Sequence, residues 1–227
     1  MSMQHYAVAI DGPSGAGKST LAKAAAAELG ILYVDTGAIY RTIACYIHRQ
    51  GIDPQDEAAV IAALPEIRIE MRHSEDGLQH MILNEEDVTA AIRLPEISMV
   101  ASAVSAIPAV RDHLTEMQRE LARKYCVIMD GRDIGTVILP DAEVKIYLFA
   151  DAAVRARRRM KELEERGTPQ PFETVLREIE ERDWADTHRA FRPLRPAEDA
   201  VMMDTGNLDF EESRQLLLKI IRGKVEA

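Results

Sequence analysis

Short apolar runs alternate along the chain with longer stretches whose apolar positions recur at helical spacing. That rhythm predicts a parallel sheet covered by helices. YAVAID (6–11) reads as the first strand, and an Ala-rich helix from about Lys18 to Leu29 follows it, stopped by Gly30. ILYVD (31–35) is the second strand, with a helix from about Ala38 to Arg49 behind it and a short helix capped by Asp53 and running through Leu64. The rhythm breaks at 66–93. EIRIEMRH (66–73) and LQHMILN (78–84) alternate partially around the turn signal SEDG, which predicts a hairpin, and EDVTAAIR (86–93) reads as either a third strand or a connector. A small antiparallel insert standing off the main sheet is expected there.

Pro95 and Pro108 then open two helices at their first turns, the second over about 109–124. YCVIMD, ending in Asp130, VKIYLFA (144–150) and AVMMDT (200–205) are the remaining strands, which brings the parallel sheet to five. Two long helices, about 151–166 and 172–190, flank GTPQP, and FEESRQLLLKIIRG closes the chain as an amphipathic helix. The expected organisation is one domain: a core of 1–65, 94–150 and 191–227, an insert at about 66–93 and a helical lid at about 151–190.

Composition narrows this reading without redirecting it. With 227 residues, 47% of them hydrophobic and 29% charged, the chain suits one globular core. No apolar run approaches the roughly 18 residues of a membrane span, and no basic-then-apolar leader precedes the first strand, so a cytoplasmic protein without a membrane partner is expected. Cys45 and Cys126 are far apart, and Cys126 lies in an apolar run, where it reads as a buried small hydrophobe; neither a disulfide framework nor a metal site is suggested. The formal net charge of −10 repels nucleic acid polymers, so any polyanion must meet a local basic patch. Residues 155–195 hold such a patch, in RARRRMKELEERG and at Arg182, Arg189, Arg192 and Arg195.

Four constellations carry chemistry. Gly12-Pro13-Ser14-Gly15-Ala16-Gly17-Lys18-Ser19, with Thr20 behind it, fits G-x-x-x-x-G-K-[ST] between a strand and a helix, the context a phosphate-binding P-loop requires. Its glycines let backbone N–H groups curl around a β-phosphate at a helix N-terminus. Lys18 reaches β- and γ-phosphate oxygens, and the Ser19 hydroxyl suits Mg2+. DTGAIYR follows the second strand at the carboxyl edge of the sheet, where Asp35 or Thr36 caps a helix and Arg41 is placed for a bidentate contact with a second phosphate. In Asp130-Gly131-Arg132-Asp133 two carboxylates and an arginine meet at a strand end. Asp130 acts there through water on Mg2+ and Arg132 neutralises a phosphoryl group, or the arginine and an aspartate simply pair internally. Arg182, Asp186 and Arg189, at i, i+4 and i+7, share one helix face on a hairpin placed to close over the donor site.

GPSGAGKST, DTGAIYR, DGRDIGT and RDWADTHR, in that order over essentially the whole chain, resemble bacterial cytidylate kinases, P-loop nucleoside monophosphate kinases. The loop alone discriminates weakly, since guanylate kinases carry nearly the same one; D-x-G-x-x-Y-R with DGRD-x-G-T is far more specific. The resemblance implies a three-layer P-loop NTPase fold, transfer of the ATP γ-phosphate to CMP or dCMP with Mg2+, and an insert extending the monophosphate-binding region. It implies that Thr36, Arg41, Arg132 and Arg189 hold the acceptor phosphate, with Asp35 beside them. Ser102, Arg111 and Asp133 read the pyrimidine, Arg182 contacts phosphates, Asp186 accepts from ribose hydroxyls, and Arg158 and Arg159 face the donor. Thr36 stands where the family more often has Ser; the hydroxyl survives and the added methyl tightens the pocket. A carboxylate at 133 accepts from the C4 amine that uracil lacks, which favours cytosine.

Another small acceptor, such as UMP, GMP or shikimate, is the competing enzyme reading. A nucleotide switch is disfavoured because no N-K-x-D occurs and because a switch needs no second phosphate pocket. The expected partners are small molecules only, and a closing lid is compatible with a monomer.

Overall fold

A computed structural model describes residues 5–74, 79–165 and 167–225. β1 (Ala7–Asp11), buried throughout, lies at the centre of a five-stranded sheet. It pairs in parallel with β6 (Val127–Gly131) and β7 (Val144–Phe149); β2 (Leu32–Asp35) lies outside β6, and β8 (Val201–Asp204) outside β7. Alternating side chains of each strand feed opposite layers. Ala7, Ala9, Val34, Val127 and Met129 face α2 (Thr36–Arg49), α4 (Pro95–Val104) and α5 (Pro108–Lys124). Val8, Ile10, Ile128, Val144, Ile146 and Met203 face α1 (Lys18–Leu29) and α8 (Phe210–Val225). The result is the expected three-layer α/β fold. No helix among the described residues is long and apolar enough to cross a membrane.

α1 follows the predicted bounds, ending where Gly30 takes a left-handed φ of 65°. α3 (Glu57–Ala63) starts later than expected, because Asp56 caps it by accepting from the Ala59 amide. Asp53 instead accepts from the Gln55 amide in a tight turn ahead of the helix. Cys45 is buried on α2, whereas Cys126 is only half-buried, one residue ahead of β6.

The insert is a separate antiparallel sheet of β3 (Ile69–His73), β4 (Gln79–Leu83) and the two-residue β5 (Glu86–Asp87). Most of the predicted SEDG turn, at 75–77, lies outside the described residues. EDVTAAIR divides between β5 and a 3-10 turn at Ala91–Arg93. The insert stands apart from the main sheet yet packs on the body: Met81, Leu83, Val88 and Ile92 enter the same core as α2. Its polar rim covers the free edge of β2. The Gln79 amide accepts from Asp35 N at 2.8 Å and donates to Asp35 O at 3.3 Å, and a His73 ring nitrogen meets the Tyr33 carbonyl oxygen at 3.1 Å.

α6 (Ala152–Glu165) and α7 (Phe172–His188) pair around a small core of their own, Ala156, Leu163, Val175 and Ile179. Beyond β6, residues Ile134–Ile138 form one wide π-type turn that the sequence pattern does not signal, closed by Leu139 N donating to Ile134 O at 2.7 Å.

The phosphate loop leaves β1 through a close approach. A Cβ on Gly12 would lie 1.9 Å from the carbonyl oxygen of Leu148, and its φ is 150°. Gly12→Ala must push two backbones apart, which costs about 3 kcal/mol or more. At about 2–4 °C per kcal/mol for a chain of this size, calorimetry should show the melting midpoint about 6–12 °C lower.

Candidate active site

The parallel register brings the carboxyl ends of β1, β2 and β6 to one level: Asp35 lies opposite Asp130, and Asp11 opposite Gly131. Each of these aspartates is buried, so each must have partners. Asp11 accepts from the amides of Ile134 and Gly135, both at 2.8 Å, and thereby ties the start of the phosphate loop to the π-type turn. Burial pushes its carboxyl up to about 6, against those two hydrogen bonds. Asp130 accepts from the Ser19 hydroxyl at 2.7 Å and the Tyr33 hydroxyl at 2.9 Å; burial first, then neighbouring Asp35, raises its pKa. Asp35 caps α2 through the Ala38 amide and also pairs with Arg41 at 2.9 Å and Arg93 at 3.2 Å.

The loop turns through left-handed backbone at Gly15 (φ 73°) and Gly17 (φ 93°), which opens its amides ahead of α1. Lys18 is only 5% exposed, and its Nζ donates to Pro13 O at 2.7 Å. Burial and the positive charge of Arg132 lower its pKa to about 7, opposed by Asp130, Asp11 and Asp186. Ser19 held against buried Asp130 is an oxygen-donor arrangement that fits Mg2+, which prefers one or two protein oxygens together with phosphates and water. The described residues hold no His/Cys/Asp/Glu cluster for a separately bound metal ion.

Facing the loop is a second group of cations. Arg132 Nε donates to Asp186 Oδ2 at 2.7 Å, and Arg189 Nη1 lies 3.8 Å from Asp186 Oδ1. Although burial works against it, Arg132 beside Asp186 holds that carboxyl below its ordinary value. Arg182 is exposed, yet burial of its charged end by the protein around it and repulsion from Arg132 and Arg41 lower its pKa. Arg189 is the C-cap of α7: its amide donates to Ala185 O at 3.1 Å and its φ of −60° is still helical, so its side chain leaves from the flank that carries Arg182 and Asp186, while ψ 140° turns the following chain out of the helix. Burial, then Arg111, brings its pKa down to about 10. Arg41 Nε and Arg189 Nη2 are buried without a hydrogen-bond partner among the described residues. Buried guanidinium N–H groups left open in this way suit an anion.

At the far end, Arg111 and Asp133 form a buried ion pair at 3.1 Å, with Arg111 Nε donating to Ser105 O at 2.6 Å and the Tyr40 ring beneath the guanidinium. Thr36, also buried, donates its hydroxyl to Asp130 O at 2.6 Å, leaving oxygen lone pairs as acceptors. Ser102 is exposed on α4, one turn before Ser105.

The α6 arginines fall in unexpected places. Arg155 is the one on the loop: buried, it donates to Ser14 O at 2.9 Å and to Ala150 O at 2.8 Å, and it grips Asp183 of α7. Arg158 meets Thr205, whose hydroxyl in turn donates to Ala16 O at 3.2 Å, while exposed Arg159 pairs with Glu162. Sequence reasoning left Asp11, Tyr33, Arg93, Asp183 and Thr205 without roles; Asp11 was legible as a charge at the end of a buried strand.

A family model described as Cytidylate kinase matches residues 8–223. The chain belongs to the cytidylate kinase family. A cytidylate kinase of Lactobacillus gasseri is 47% identical over 217 residues, covering 96% of this chain and 94% of the relative. A cytidylate kinase of Lactiplantibacillus plantarum is 46% identical over 224 residues, covering 99% and 98%, and one of Carboxydothermus hydrogenoformans is 46% identical over 217 residues, covering 96% and 97%. Among solved structures, an uncharacterized protein from Eubacterium ventriosum shares the fold at a TM-score of 0.56 and 15% identity, covering 97% of this chain and 99% of its own.

Burial and Arg132 hold Lys18 well below the ordinary lysine value, and a polyphosphate on the loop favours its charged form. Calorimetry of ATP binding at pH 8 in buffers of differing ionisation enthalpy should therefore show net proton uptake, lost in Lys18→Met.

Proposed function

We propose that this chain transfers the γ-phosphoryl group of ATP to CMP, and to dCMP, giving ADP and the corresponding diphosphate. The observation that carries this is the pairing of a phosphate loop with a facing arginine cluster, in which Arg41 and Arg189 keep buried N–H groups open. One phosphate site suits a switch; two suit transfer between phosphates.

In this reading an oxygen of the acceptor monophosphate attacks the γ-phosphorus in line, and the bond to the β-γ bridging oxygen breaks, its electron pair leaving with ADP. The acceptor oxygen is already ionised near neutral pH, so no strong base is needed. Charge on the equatorial oxygens must be met instead. Gly12, Pro13, Ser14, Gly15, Ala16, Gly17 and Thr20 form the donor cradle, and Lys18 follows the γ-phosphate. Ser19 would hold Mg2+, with Asp130 fixing the serine; the ion, when bound, would supply Lewis-acid neutralisation of phosphate charge. Arg132, Arg182 and Arg189 come from the acceptor side, Arg41 grips the acceptor phosphate beside Asp35 and Thr36, and Asp186 accepts from the ribose. Arg158 lies on the donor side through Thr205, and Arg155 latches the lid to the loop.

Base choice rests on Arg111 and Asp133, with Ser102 nearby. The pair is already formed and buried, so a base that cannot donate to Asp133 leaves a desolvated carboxylate short of a partner. ADP release should be followed with CMP, dCMP, UMP, AMP, GMP and shikimate in turn. CMP and dCMP should lead clearly; equal rates across the pyrimidines would sink the substrate assignment. Asp133→Asn should narrow the CMP-to-UMP ratio of kcat/KM by about tenfold or more. Any loss of folded protein cancels in that ratio, so an unchanged value removes Asp133 from base reading.

A further inference from the structure

Arg189 caps α7 at its C-terminus, where its amide makes the last helical hydrogen bond, to Ala185 O, and the chain beyond it leaves the helix. Its Nε donates to the carbonyl oxygen of Arg192 at 2.6 Å, while its Nη2 is the buried N–H group left open. That carbonyl turns back towards Arg189 because Arg192 adopts a left-handed backbone, φ 51°. Non-glycine residues avoid this region, and Pro193 behind it favours extended backbone instead. The other described non-glycine residues with positive φ, Asn84 and Glu85, form the tight turn between β4 and β5, where such angles are ordinary.

The side chain of Arg192 accounts for the unusual conformation. Its Nη1 donates to Thr115 Oγ1 at 3.0 Å and its Nη2 to Asp112 Oδ1 at 2.8 Å, both on α5, and its guanidinium lies over the Phe191 ring. The Thr115 hydroxyl donates in turn to the carbonyl oxygen of Arg111 at 2.8 Å. Arg111 pairs with Asp133. A continuous run of polar contacts thus links the residues assigned to the base with the arginine assigned to the acceptor phosphate, and Arg192 is the member joining the two elements.

We propose that Arg192 is a positioning residue for the acceptor nucleotide: anchored to Asp112 and Thr115, its left-handed backbone aims Arg189 at the acceptor phosphate and ties that aim to the Arg111–Asp133 pair. The proposal rests on Arg189 being an acceptor-phosphate ligand, as argued above. Arg192 itself touches no reacting atom, so its effect falls on binding of one substrate and spares the other.

Steady-state kinetics with CMP and ATP varied separately test this, with the melting midpoint measured alongside. Arg192→Ala should raise KM for CMP about tenfold and leave KM for ATP within about twofold. Asp112→Ala, at a position 62% exposed, removes one anchor without threatening the fold and should raise KM for CMP about threefold. Arg189→Lys lacks the Nε–H that meets the Arg192 carbonyl; it should raise KM for CMP, and adding Arg192→Ala to it should change KM little further. An unchanged KM for CMP in Arg192→Ala, an equal rise in KM for ATP, or additive effects of the two substitutions would overturn the proposal. If Arg189→Lys raises KM for CMP and Arg192→Ala does not, only the role of Arg192 falls. If Arg189→Lys leaves KM for CMP unchanged, the phosphate assignment of Arg189 falls, and the role of Arg192 with it.

Discussion

Three neighbouring parallel strands end in buried carboxylates at one level, and the rest of the site is arranged around meeting their charge. Asp11 takes two backbone amides, Asp130 two hydroxyls, and Asp35 an amide and two guanidinium groups. A charge left unpaired at such depth would cost several kcal/mol. Satisfying it fixes neighbours: Asp11 fixes the turn after Asp133, Asp130 fixes Ser19 beside Lys18, and Asp35 fixes Arg41. The groups proposed for donor and acceptor therefore acquire their relative positions from hydrogen bonds inside the protein.

The cations are treated in the opposite way. Lys18 and Arg189 are buried deeply enough to lower their pKa values, and repulsion among Arg132, Arg182 and Arg41 adds to the strain of holding them close. Anionic ligands relieve both terms, so binding and preorganisation draw on the same electrostatics. The α6–α7 hairpin shares in this. Arg155 holds α6 and α7 together through Asp183 while touching Ser14 O, which couples the hairpin carrying Asp186 to the phosphate loop.

Much of this was legible in the sequence where the cause is local. The phosphate loop, the five apolar strands and α1 follow from glycine positions, run lengths and helical spacing, and the structure keeps them almost to the residue. Features set by tertiary contact were not legible. The π-type turn at 134–138 exists because Asp11, more than a hundred residues earlier in the chain, caps its amides. Arg155 and Arg159 lie one turn apart on the same flank of α6, and only depth along the helix decides that the first reaches the loop. The i, i+4, i+7 stripe places Arg182, Asp186 and Arg189 on one flank of α7, but the direction of the Arg189 guanidinium is set by the carbonyl of Arg192, whose backbone conformation no pattern announces. Alternation in the insert predicted its strands and not its docking, which depends on Met81 and Leu83 meeting α2.

The central claim is that one edge of one sheet binds two nucleotides at once, phosphate to phosphate. The most direct measurement is inhibition by adenosine and cytidine joined 5′ to 5′ through a pentaphosphate. The account predicts competition against both ATP and CMP, with affinity above that of ADP or CMP alone. Competition against only one substrate, or affinity no better than the single nucleotides, would contradict it.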